Sequence, residues 1–226
     1  MSDDSIFREV DEAVRQDQLK SLWDKYGLWV VAGAVLIIAS VSGYKFWVYW
    51  TTEQAKKAGA RFVGGITHIE DGKTSEALDV FKSLADEGPR GYRILSRFQL
   101  AALYAKDGKK DEAIKIYDDL ASQSGIGDVQ QGFAKIQAAT LKLDDASFDD
   151  MRKRLDALAV TGNPWRHSAR ELLGLSAYHT GDISAAERFF SVMLSDQRTP
   201  ANMRRRAEMM LSLLVQSGGD AAPAGK

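Results

Sequence analysis

Three segments of the chain read GKTSEALDVF (72–81), GKKDEAIKIY (108–117) and GDISAAERFF (181–190). Each opens on a glycine, carries a small residue five positions later (Ala77, Ala113, Ala186) and an aromatic four beyond that (Phe81, Tyr117, Phe190). A glycine between two apolar-periodic runs marks the end of one helix and the start of the next. A small residue and an aromatic four apart lie on one face of the second helix. The alanines are 36 and 73 residues apart. The second interval is about twice the first, so a further unit is expected near residue 150. There Met151 and Leu155 take the alanine and aromatic places, after the turn Asp144-Asp145-Ala146-Ser147, which has no glycine.

The pattern extends upstream of each turn. Gly64-Gly65, Leu100-Ala101, Ala138-Ala139 and Leu173-Gly174 put a small residue at equivalent places in each first helix. Small residues let two helices approach, and the aromatic of the second helix fills the gap. Each unit closes on Pro89, Gly125, Asn163-Pro164 or Thr199-Pro200. Four helix pairs follow from this: about 51–70 with 74–86, 91–106 with 110–122, 128–143 with 148–159, and 165–179 with 183–195. A ninth helix over about 200–215 carries Met203, Met210, Leu211, Leu214 and Val215 to cover the open end of the stack, as terminal repeats must. The small, alanine, aromatic and terminal-proline places resemble the tetratricopeptide pattern. Where that pattern has tryptophan, Arg61, Arg97, Lys135 and Arg170 stand instead.

This row of cations is the candidate partner-binding site. One falls in every unit, on helices that line the concave face of such stacks, where it would form a charged ladder for an acidic segment of a partner. The competing role is packing, with the long stems laid between helices and the heads in water. Arg204-Arg205-Arg206 is a second basic cluster, but three consecutive helix positions do not share a face.

Ahead of the repeats lies Leu28–Trp50, LWVVAGAVLIIASVSGYKFWVYW, with no charge from Leu28 to Tyr44. A helix of this length covers about 34 Å, enough to cross a bilayer core. Tyr44, Phe46, Trp47, Tyr49 and Trp50 around Lys45 form an aromatic belt at one end, and Trp23, Tyr26 and Trp29 a smaller one at the other. The leader is acidic and the apolar run ends in bulky aromatics, unlike a cleaved signal peptide. The expected organisation is an acidic, partly helical leader (1–27), a transmembrane helix (28–50), a repeat domain (51–216) and a disordered tail (217–226). Phe7, Val10, Val14 and Leu22 give the leader a weak amphipathic face. No proline or glycine intervenes between Trp50 and Gly59, so the spanning helix is expected to run on into the first repeat. Three basic residues precede the span (Arg15, Lys20, Lys25) and three follow it (Lys56, Lys57, Arg61), so charge does not orient it.

With 30 basic and 31 acidic residues the net charge is −1, and no polyanionic partner such as nucleic acid is implied. The absence of cysteine excludes disulfides, thiolate metal sites and cysteine nucleophiles. His68, His167 and His179 have no second histidine at helical spacing, and Asp144, Asp145, Asp149 and Asp150 lack calcium-loop spacing. These acids are expected to serve helix starts. No metal, cofactor, small-molecule substrate or catalysed reaction is expected.

A short acidic leader with Trp23-x-x-Tyr26-Gly27, a span ending Gly43-Tyr44-Lys45-Phe46-Trp47 and degenerate tetratricopeptide pairs behind it together resemble the YfgM-like ancillary subunits of the bacterial Sec translocon. That resemblance implies a single-pass inner-membrane protein with a cytoplasmic N-terminus and periplasmic repeats. Its implied partners are the translocon and periplasmic chaperones or emerging clients. The repeat part is also similar to a periplasmic cell-division coordinator, so assembly of the cell envelope is the alternative use of the same groove.

Overall fold

A computed structural model describes the backbone of residues 3–219, and the side chains of Lys20 and residues 23–216. The described residues are all-α, with no strand among them. Nine helices follow in order: α1 (Asp3–Glu70), α2 (Thr74–Glu87), α3 (Arg90–Lys106), α4 (Lys110–Ser122), α5 (Asp128–Lys142), α6 (Phe148–Leu155), α7 (Arg166–His179), α8 (Ile183–Ser195) and α9 (Ala201–Gly219). The chain divides into two compact units, Met1–Lys57 and Ala58–Lys226, with the division inside the uninterrupted helix α1.

In the first unit, the apolar stretch has almost no partner. Leu28 is 82% exposed, Leu36 68% and Ile38 66%. Two hydroxyls in and next to this stretch bond back to the helix backbone: Ser40 Oγ donates to Leu36 O at 2.7 Å and Thr51 Oγ1 to Trp47 O at 2.9 Å. A helix in hydrocarbon must meet its polar groups internally in this way. The expected face of Phe7, Val10, Val14 and Leu22 lies outside the described side chains.

The second unit is the repeat stack. Gly72, Gly108 and Gly181 adopt φ of 77°, 79° and 84°, the left-handed conformation that a Cβ disfavours. The residue after each donates its N–H five residues back: Lys73 to His68 O, Lys109 to Tyr104 O and Asp182 to Ala177 O, at 2.8–2.9 Å. This is the Schellman closure, made three times by the same sequence signal. The third unit, without the glycine, closes through Ala146 N to Lys142 O at 2.8 Å. Ser147 then caps α6 by accepting from Asp150 N at 3.2 Å. Asp149 and Asp150 sit in the first turn of α6, where the helix dipole favours them.

The packing rule read from the sequence holds in all four pairs. Ala77, Ala113, Met151 and Ala186 are fully buried, as are Phe81, Leu155 and Phe190, with Tyr117 at 3% exposure. An added Cβ on Gly65 would meet the Phe81 ring at 2.8 Å, and one on Gly174 the Phe190 ring at 2.8 Å. Clusters of such residues run from one pair into the next, including Ala101, Tyr117, Leu120, Ala134 and Ala138.

Two helix ends and one cap residue differ from expectation. Helix α6 stops at Leu155 rather than 159, ahead of a β-branched pair, Val160-Thr161, and Gly162-Asn163-Pro164. The Ala159 carbonyl there accepts from Arg170 Nε at 2.9 Å, a contact made by the next unit. Helix α9 is described to Gly219, so the expected tail begins inside it and residues 220–226 lie outside the described residues. Within α9, Ala207 and Leu214 are buried with Met203, Met210 and Leu211 against them, but Val215 is 76% exposed and takes no part in the cap.

Candidate partner-binding face

Arg61, Arg97, Lys135 and Arg170 occur at the same level of α1, α3, α5 and α7, and their heads are treated differently. Arg61 is exposed and donates from Nη2 to Ser83 Oγ of α2 at 2.7 Å. Arg97 is half-buried. Its Nη1 donates to Gln123 Oε1 at 2.6 Å, and its Nη2 lies 3.5 Å from Asp119 Oδ2 of α4. Ser83 and Asp119 are 36 residues apart, so both arginines reach the same place on the second helix of their own pair. Lys135 is half-buried. Arg170 is 7% exposed and is held by Ala159 O and by Asp196.

Asp196 is the centre of a polar knot at the end of the stack. Its Oδ2 accepts from Arg166 Nε at 2.9 Å and Arg170 Nη1 at 3.3 Å, and its Oδ1 accepts from Arg198 N at 3.0 Å. These bonds hold the carboxyl well below the usual carboxylate range, Arg166 contributing most. His167 stands beside it, with Nδ1 3.1 Å from Thr199 Oγ1. Burial, then the Arg166 charge, push the His167 pKa below its ordinary value. Arg204 of α9 donates to Leu194 O at 2.7 Å and to Asp196 O at 3.1 Å. Arg206 makes a two-bond clasp with Glu171 of α7. Two members of the Arg204-Arg205-Arg206 cluster therefore tie α9 to the preceding pair, and Arg205 is exposed.

Sequence reasoning did not find an aromatic series that joins successive first helices. The rings of Phe62 and Tyr92 lie 6.0 Å apart, Phe98 and Phe133 5.5 Å, and Phe133 and Trp165 5.5 Å. Trp165 Nε1 also donates to Val129 O at 2.8 Å. A signal was present, because Phe62 and Phe98 each directly follow a cation of the row. The described residues hold no cluster of three or more metal-ligating side chains.

The model of the tetratricopeptide repeat-like domain matches residues 20–215. The chain belongs to that family. The match begins ahead of the apolar stretch and ends within α9. No curated protein matches the chain. Tetratricopeptide repeat-like stacks point to a scaffold for protein–protein interaction, joined here to one helix long and apolar enough to cross a membrane.

Proposed function

We propose that the protein is a membrane-anchored interaction scaffold of the bacterial inner membrane, an ancillary subunit of the Sec translocon. The Leu28–Trp50 span anchors it with its N-terminus in the cytoplasm. The repeats, in the periplasm, hold translocon components, chaperones or emerging clients. The observation that carries this reading is the coupling of an exposed apolar helix and a repeat stack within one family match, residues 20–215. An apolar surface as large as that of residues 28–50 is covered by lipid or by another protein, because soluble proteins do not leave such a surface in water. Partner contact on the stack falls to the first-helix face, where Arg61, Arg97 and Lys135 keep part of their surface in solvent and Arg170 anchors the row from within.

Photocrosslinkers placed at Arg61 and Lys135 of the full chain in native membranes test this reading. Adducts with translocon or chaperone subunits are expected. Adducts confined to lipid, or repeats digested only after the inner membrane of spheroplasts is broken, would overturn it.

A further inference from the structure

The stack contains one arginine pair twice, once closed and once open. The offset of 73 residues that carries Ala113 onto Ala186 also carries Arg93 onto Arg166, Arg97 onto Arg170 and Gln123 onto Asp196. The equivalence is structural as well. Gln131 Nε2 donates to Gln123 O at 3.0 Å, and its counterpart Arg204 donates to Asp196 O at 3.1 Å. In the fourth pair the two arginines share the Asp196 carboxylate and are 8% and 7% exposed. In the second pair an amide replaces that carboxylate.

The open pair keeps its charge only partly compensated, by one exposed carboxylate. Arg97 reaches the Gln123 amide, and the carboxylate near it, Asp119, is 58% exposed at 3.5 Å. Arg93 is exposed, and its guanidinium has no hydrogen bond or ion pair to another described residue. Arg90 adds a third guanidinium, which donates to Gly125 O at 2.6 Å. These groups line a cleft of about 440 Å³ with Ala85 and Ile94, and no carboxylate lines it. Arg90, Arg93 and Arg97 recur along one side of α3 at the spacing of successive turns. A guanidinium fork matches a carboxylate with two parallel hydrogen bonds, and partly compensated cations in a concave site attract acidic groups.

We propose that this cleft takes an aspartate or glutamate side chain from an extended segment of a protein partner, seated where Asp196 sits in the fourth pair. The chain itself shows what the arginine register binds. Ile94 and Ala85 supply apolar contact for the residues flanking the acid. The proposal rests on the scaffold reading above and names the chemistry of its partner.

The test uses the full chain in detergent micelles and a fluorescein-labelled, C-terminally amidated peptide of alternating aspartate and serine, followed by anisotropy. Saturable binding is expected, at least tenfold weaker for the asparagine–serine peptide. Gln123→Asp supplies an internal carboxylate and is expected to weaken binding at least tenfold without lowering the thermal midpoint. Arg93→Gln, on an exposed side chain, is expected to weaken it similarly. Equal binding of the asparagine peptide, wild-type affinity in both variants, or displacement by millimolar inorganic phosphate without discrimination between the peptides would overturn the proposal. Crosslinking in membranes separates the two levels. Neighbours captured by Gln123→Asp at the wild-type level overturn the cleft and leave the scaffold standing, whereas no neighbours from the wild-type protein overturn the scaffold itself.

Discussion

Adjacent glycines in α1 should respond to alanine with opposite signs. A Cβ on Gly64 meets nothing within 4 Å. A Cβ on Gly65 falls 2.8 and 2.9 Å from Phe81 ring carbons and 3.1 Å from Val80 Cγ1. Carbon atoms prefer about 3.5–4.0 Å, so the Phe81 ring would have to move. It has nowhere to go, being fully buried and packed edge-on to Phe62 at 5.3 Å between ring centres. Both substitutions gain about 1 kcal/mol from helix propensity. Overpacking a filled core costs about 1–3 kcal/mol. The propensity gain cancels in the difference, so Gly64→Ala should exceed Gly65→Ala by about 1–3 kcal/mol. At about 2–4 °C per kcal/mol for a domain of this size, a 2 kcal/mol difference separates the midpoints by about 4–8 °C. Far-UV circular dichroism of the full chain in micelles on heating reads this directly. Gly64→Ala should melt above wild type and Gly65→Ala below it. A Gly65→Ala protein as stable as Gly64→Ala would refute the close approach of α1 and α2, and with it the packing rule shared by the four pairs.

Asp196→Asn should lower the midpoint, because Arg166 and Arg170 remain buried without their carboxylate. Acid should destabilise the wild type in two steps. The folded state resists protonation of His167 relative to its ordinary 6.5, and of Asp196 relative to its ordinary 3.8, so the unfolded chain takes up each proton first. Stability is then complete above each ordinary value and lost as pH falls below it, which midpoints measured from about pH 8 to 2 will show. His167→Asn should remove the upper step and Asp196→Asn the lower. Ser147→Ala, which deletes the cap of an eight-residue helix, should cost about 1 kcal/mol in denaturant unfolding. Trp165→Ala loses the Phe133 ring contact and the bond to Val129 O, together about 2 kcal/mol by the same measurement.

The helix pairs were legible because each is specified locally. A turn glycine, an alanine five residues on and an aromatic four beyond encode a closure and a close approach within about 20 residues, and the spacing located the third pair despite its missing glycine. What escaped were features made by residues far apart in the chain. The end of α6 involves Arg170, eleven residues beyond the carbonyl that it occupies. The aromatic contacts join residues 30 to 35 apart, such as Phe62 with Tyr92 and Phe98 with Phe133. The cation row was found by position, but its environments were not, because they depend on what stands at Ser83, Asp119, Gln123 and Asp196 on other helices. The 73-residue register contained that information too, once the chain was compared with itself beyond its glycines.

The unequal tying of the pairs has a mechanical consequence. In a linear stack each pair leans on its neighbours, so opening starts where the cross-links are sparse. Between α7 and α9 the chain is laced by Asp196, Arg204 and the Arg206–Glu171 clasp. The pair α1–α2 has the Arg61–Ser83 bond and its ring contacts. Under load the stack should therefore yield from α2 onward and keep its C-terminal end shut, like a zipper whose pin is fastened at the far end.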